Sequence, residues 1–305
     1  MQALARRIAV SGRNELINVP GLSIKNFFTV DRTEIENLRN IKNLVRDYIN
    51  SDNPEQPLSI AIFGPPGAGK SFAVKQMAKA GLDGRKIAFL VFNLSQFSDP
   101  GDLIGAFHQV RDCVLEGNTP FVFWDEFDSQ QYKWLQYLLA PMQDGQFQEG
   151  QITHPIGKCI FFFAGATSYT MQQFGEKKPN PEVSSPPDYQ RKLEAFDNFI
   201  FKKGPDFVSR LNGYLNVLGP NPRKIYNKEN EEWQIDKSDR TFPVRRAIFI
   251  RALLKAFDNK ELDMDWGLLN ALLSINQYHN GSRSLAKLLS SFSSSFSSRI
   301  VKSSL

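Results

Sequence analysis

Leu58-Ser59-Ile60-Ala61-Ile62-Phe63-Gly64-Pro65-Pro66-Gly67-Ala68-Gly69-Lys70-Ser71 is the stretch that decides how this sequence folds. Its first six residues are an apolar run of strand length. The next eight match G-x-x-x-x-G-K-[ST] and lead into a helical stretch, Phe72 to Ala80. Glycines in such a loop let backbone N–H groups turn inward around phosphates, and the helix N-terminus adds positive potential. Lys70 would bridge β- and γ-phosphates, and Ser71 can ligate Mg²⁺. A plain Gly/Pro turn would account for the glycines, but not for a strand before them and a helix after. The residues expected to hold ATP are therefore Gly64, Pro65, Pro66, Gly67, Ala68, Gly69, Lys70, Ser71 and Phe72.

Outward from this loop, further short apolar runs recur at Ile87 to Phe92, Phe121 to Trp124, Cys159 to Phe163 and Tyr214 to Leu218, separated by helical stretches. This alternation predicts an α/β fold, a parallel five-stranded sheet sandwiched by helices. Phe121 to Trp124 ends in Asp125-Glu126. Carboxylates at the C-terminal end of a strand would face the phosphate loop in a doubly wound sheet. Asp125 would hold Mg²⁺ together with Ser71, and Glu126 would orient and polarise the attacking water. Asp128 follows, so a solvated acidic turn is the simpler alternative.

Residues 1–55 read as an N-terminal helical segment leading into the core, with Ile35, Leu38, Ile41, Leu44, Val45 and Tyr48 at helical spacing. Residues 56–220 read as the α/β nucleotide-binding domain. Within them, Leu135, Leu138, Leu139 and Met142 mark a helix that Asp144-Gly145 closes. Gly175 to Pro187, with four prolines, reads as a surface loop or insertion. Residues 221–305 read as a small helical lid with a Ser-rich tail. In that tail Leu285, Leu288, Leu289, Phe292, Phe296 and Ile300 keep a helical period despite the low helix propensity of serine. The polar stretch Gly219 to Arg240 marks the boundary.

With the loop, Phe123-Trp124-Asp125-Glu126-Phe127-Asp128 and several later segments in order, the chain resembles the AAA+ ATPases over roughly residues 20 to 290. Leu138 to Gly145 looks like the helix end after the family's Walker B strand, and Ile160 to Ser168 like its sensor-1 strand. The resemblance implies Thr167 as the sensor-1 residue, with Ser168 the near alternative. Asp206-Phe207-Val208-Ser209-Arg210-Leu211 is similar to the arginine-finger segment, most of all that of the Clp and HslU branch. It implies that Arg210 acts on a neighbouring subunit of a homo-oligomer, expected to be a ring. Asn280-Gly281-Ser282-Arg283 resembles sensor 2, which places Arg283 over the phosphates of its own subunit. The bland alternatives are a strand-end turn for Thr167, a helix-end cap for Arg210 and a solvated side chain for Arg283.

The family's aromatic-Val-Gly pore loop has no counterpart here. Leu103-Ile104-Gly105 could grip a polypeptide, but the pair fits a helix face better. The implied function is ATP-driven remodelling of a macromolecule, protein before nucleic acid. The runner-up is a nucleotide switch or loader whose hydrolysis only resets it, and a small-molecule kinase lacks a substrate motif.

Composition excludes a disordered or fibrous chain: 41% of the 305 residues are apolar, 23% charged, and 25 are Phe. The formal charge of +5 suits phosphates, nucleic acid or acidic partners equally. Lys177, Lys178, Lys202, Lys203, Arg245, Arg246 and Arg251 are scattered among acids and read as mostly solvated. Cys113 and Cys159 form no disulfide or zinc pattern, and His108, His154 and His279 follow no metal spacing, so Mg²⁺ is the one metal implied. With no secretory signal or membrane-length apolar run, a reducing cytoplasm is the expected location.

Overall fold

All five apolar runs become strands of one parallel sheet: β1 (Leu58–Phe63), β2 (Ile87–Asn93), β3 (Thr119–Asp125), β4 (Ile160–Ala164) and β5 (Gly213–Asn216), in the spatial order β2-β3-β4-β1-β5. The computed structural model of the chain describes residues 1–52, 54–80, 86–175, 177–181, 185–227, 232–256 and 261–293. The chain divides into two compact units, Met1–Glu36 with Pro65–Gly69 and Val217–Leu305, and Asn37–Gly64 with Lys70–Asn216.

The second unit holds the sheet. Every residue of β1 and β4 is buried, which requires cover on both faces and explains why these runs are continuously apolar. Edge strand β2 is only half-buried along most of its length. The abundant phenylalanine goes into this core. Phe107, from the helix Pro100–Leu115, meets Trp124 with ring centroids 5.3 Å apart, and Trp124 meets Phe161 edge-on at 5.7 Å. Such edge-to-face pairs add to the gain from area burial alone. The helix Pro100–Leu115 begins with a capping box between Asp99 and Asp102 and has a proline in its first turn. Leu103 on it is buried and Ile104 packs against the core, so this pair belongs to a helix face and forms no gripping loop. Helix Leu135–Asp144 ends at Gly145 in the left-handed conformation, as its turn signal predicts.

Strand β5 is shorter than the apolar run Tyr214 to Leu218. Leu218, which falls in the other unit, gives its N–H to the Glu34 carboxylate at 3.0 Å and so takes no place in the sheet. Among the described residues three hairpins escape the sequence pattern, Leu22–Ile24 with Phe27–Thr29, Gln146–Glu149 with Ile152–Pro155, and Lys224–Asn227 with Glu232–Ile235.

In the first unit, helices Gln2–Ser11, Phe242–Leu253, Trp266–Ser274 and Ser282–Ser293 share a core that includes Ile8, Val244, Ile250, Leu269, Leu285 and Leu289. The Ser-rich helix forms because Leu285 and Leu289 are buried. Its Ser290 and Ser291 hydroxyls donate back to the carbonyls of Lys287 and Leu288. Phe257, Phe296 and Ile300, the Phe292 side chain, and residues 176 and 182–184 of the proline-rich loop lie outside the described residues.

The solvated reading of the basic residues fails for Arg245, Arg246 and Arg251, which are buried. Arg245 pairs with Asp239 at 2.7 Å and also donates to the carbonyls of Gly219 and Asn221. Arg246 donates to the carbonyls of Pro220, Leu273 and Ile275 between the rings of Phe242 and Tyr278, and burial lowers its pKa to about 10. Arg251 donates to Ala9 and Val10. Each guanidinium therefore ties main-chain carbonyls of a loop or a helix end into the helical core.

Glu34 is also buried. Desolvation pushes its pKa up to about 7, although the Thr29 hydroxyl, the Leu218 amide and the Arg245 charge pull it down. A carboxyl raised this way contributes full stability below its unfolded value and loses it as pH rises through 7, on the order of 3 kcal/mol in total. The unfolding midpoint should accordingly fall between pH 5 and pH 8, and Glu34→Gln should flatten that dependence. An unchanged slope in the variant would refute the assignment to Glu34.

Candidate functional site

The C-terminal ends of the strands set the geometry. Asn93, Asp125 and Ala164 are level across β2, β3 and β4, and Ala164 is in turn level with Ile62 of β1. β1 and β3 both flank β4, so their ends lie roughly 10 Å apart. Lys70 follows the loop that leaves β1 and begins the helix Lys70–Ala80. Its Nζ donates to the Gly64 carbonyl at 2.7 Å. Ser71 and Phe72 are exposed on the first turn of that helix, while Asp125 and Glu126 are half-buried.

Glu126 has φ 56°, in the left-handed region that a non-glycine residue enters at a cost of about 1–2 kcal/mol. Strain of this kind concentrates where a side chain must be aimed. Its own N–H lies 3.2 Å from Asp125 Oδ1, so the two acidic residues are fixed together at the end of β3.

Asp128 is no solvated turn residue. It is buried and accepts from the amides of Ala166, Thr167 and Ser168 at 2.7, 3.1 and 3.0 Å and from the Thr167 hydroxyl at 2.7 Å. This carboxylate clamps the loop after β4 onto the turn after β3. The Thr167 proton is committed to Asp128, leaving its hydroxyl oxygen only acceptor capacity toward a water. Ser168 is buried. Sequence reasoning missed Asp128 because its four donors sit 38 to 40 residues away.

Arg210 is engaged with its own unit. It donates to the Asp206 carbonyl at 2.6 Å and to the Gln143 side chain, with its side chain 24% exposed. Action on a neighbour would require it to exchange these partners.

In the other unit, Pro65–Gly69 lies against the start of helix Ser282–Ser293. The Ser282 hydroxyl donates to the Gly67 carbonyl. Gly67 has φ 73°, and a Cβ there would come within 2.9 Å of Ser282 Oγ and 3.1 Å of the Arg283 nitrogen. Gly281 has φ 57°, and a Cβ there would run into the Pro66 carbonyl. Both positions thus demand glycine for backbone angle and for space. Arg283 is exposed on the first turn of the same helix.

Residues 55–170 match a family model. Its description is "bpMoxR: MoxR domain in the MoxR-vWA-beta-propeller ternary systems", and the match covers less than half of the chain. No curated protein matches. Among solved structures, NtrX from Brucella abortus in complex with ADP is similar at TM-score 0.52 and 12% identity, covering 92% of this chain and 55% of that one. NtrX in complex with ATP is similar at TM-score 0.47 and 12% identity, covering 85% and 50%. The chain thus spans about half the length of the solved chains it matches. At that identity the likeness is one of fold. The chain has the α/β P-loop NTPase fold with a helical C-terminal part. Among the described residues, no helix is long and apolar enough to cross a membrane.

Proposed function

We propose that this chain is an ATP-hydrolysing module of the AAA+ class that oligomerises and uses ATP turnover to remodel a macromolecular partner, protein in preference to nucleic acid. The observation that carries the reading is the Gly64 to Ser71 loop leaving the end of β1, with Asp125-Glu126 ending β3 two strands away in the same sheet. In this reading residues 56–220 form the nucleotide-binding domain, residues 1–55 lead into it, and residues 221–305 are the lid. The amides of Gly64, Gly67, Ala68, Gly69, Lys70, Ser71 and Phe72 hold the phosphates, while Pro65 and Pro66 shape the loop. Ser71 and Asp125 hold Mg²⁺. Glu126 orients water, Thr167 accepts a hydrogen bond from it, and Arg283 answers the phosphates of its own subunit. Arg210 supplies positive charge to a neighbour's site in a ring.

The family match favours a MoxR-like placement over the Clp and HslU branch. The matched model's description names vWA and beta-propeller components of ternary systems, which supports a protein partner. A switch that assembles on its partner and uses hydrolysis only to reset is the second reading. It is favoured by the burial of Leu103 and by the hold of Gln143 on Arg210.

ATPase rate against protein concentration tests both. Wild type should gain specific activity as concentration rises, and Arg210→Ala should lose on the order of 10³-fold and show no such gain. Lys70→Ala should lose nucleotide binding. A wild-type chain that binds no ATP would sink the proposal. A rate independent of concentration and of Arg210 would remove the trans contribution.

A further inference from the structure

We infer that His108, Glu149 and His154 form a binding site for a divalent transition ion, Zn²⁺ in the first instance. The three come from separate pieces of the second unit: His108 from the helix Pro100–Leu115, and Glu149 and His154 from the two strands of the hairpin Gln146–Pro155. One ligand atom from each lies within 4.8 Å of the others. His108 Nε2 is 3.0 Å and His154 Nε2 is 3.6 Å from the same carboxylate oxygen, Glu149 Oε2. Donors about 2.0–2.1 Å from a tetrahedral zinc ion stand about 3.3–3.4 Å from one another, so the two histidine–carboxylate spacings already bracket that value, and the two imidazole nitrogens, within 4.8 Å of each other, need only draw together around the ion.

A second observation points the same way. His154 Nε2 is buried without a hydrogen-bond partner, which costs free energy unless something meets it. Packing presets both rings. Phe147 stacks on His154 at 5.2 Å and meets His108 edge-on at 4.9 Å, and Phe107 stacks on Phe147 at 5.5 Å. Two imidazoles with one carboxylate select a borderline transition ion over Mg²⁺ or Ca²⁺, and three protein ligands leave one position open.

Arg111 opposes loading. It donates to His154 Nδ1 at 3.2 Å, which keeps the ring proton on Nε2. Metal ligation through Nε2 moves that proton to Nδ1, where an acceptor is wanted in place of a donor. Arg111 already holds Asp112 through Nε and Nη2, so it can remain on that partner when the ion binds. The ion then fastens the hairpin to the helix.

Titration of the nucleotide-free full chain with Co²⁺, followed by its tetrahedral visible absorption, and with Zn²⁺ in competition, tests the site. One equivalent should bind. Glu149→Gln and His154→Ala should each weaken binding on the order of 100-fold, while Arg111→Gln, which offers Nδ1–H an acceptor, should tighten it several-fold. Glu149 is more than half exposed, so its variant folds whatever the fate of the histidine variant. Absence of a tetrahedral spectrum in wild type, or binding unaffected by Glu149→Gln, would overturn the assignment.

Discussion

Replacing Glu126 with glutamine is expected to slow ATP hydrolysis by about two to four orders of magnitude while ATP remains bound. The amide keeps the shape of the side chain and loses the charge that polarises water. Glutamine also tolerates the same backbone, so the left-handed turn at position 126, φ 56°, is retained. Its amide at 3.2 Å from Asp125 Oδ1 would stay in place, and Asp125 would keep its role toward Mg²⁺. Single-turnover hydrolysis, paired with equilibrium binding of labelled ATP, separates the two quantities. Near-normal turnover would remove Glu126 from the water-orienting role, and loss of binding would mean that the substitution had disturbed the loop.

Substituting Arg245 with alanine is expected to cost about 3–5 kcal/mol of stability in the first unit. The Asp239 side chain is fully buried, and the Arg245 guanidinium donates to both of its carboxylate oxygens. Burial alone would raise the Asp239 pKa, yet the Arg245 hydrogen bonds and charge, with the Arg223 amide, hold it down to about 2. Because the folded value is depressed, the pair's contribution is present above pH 4 and is lost as pH falls toward 2. Removing the arginine leaves an uncompensated buried carboxylate and two loop carbonyls, Gly219 and Asn221, without their donor. Denaturant unfolding of the full chain measures the loss. The double change Arg245→Met with Asp239→Leu should recover much of it, since a well-packed apolar pair replaces both charges. A single-variant cost under about 1 kcal/mol would contradict the account.

What could be read in advance follows a physical division. β1, β3 and β4 were legible because strands covered on both faces read as nearly continuous apolar runs, and the loop after β1 announces itself by its glycines. The helix at Ser282–Ser293 was legible because its leucine period survives a poor-propensity background. The three hairpins were not, since strands of three or four residues with mixed polarity are too short to show a period. Arg245 and Arg246 looked solvated because their partners at Gly219, Pro220 and Leu273 lie 26 and 27 residues away, and only the folded chain brings them together. His108 and His154 lacked metal spacing for the same reason: one lies on the helix Pro100–Leu115 and the other on a strand of the hairpin Gln146–Pro155, and only the folded chain brings their rings to 5.1 Å. Arg210 carried the right local motif, yet its grip on Gln143, 67 residues upstream, has no local signature.

The meeting of Gly67 with Ser282, across 215 residues of chain, makes two distant glycines interdependent. A single added carbon at Gly67 or at Gly281 would wedge the same seam open from opposite sides. The curvature of the glycine loop is therefore recorded in the first turn of a helix near the far end of the chain. Any force that reshapes one must be felt as a displacement of the other.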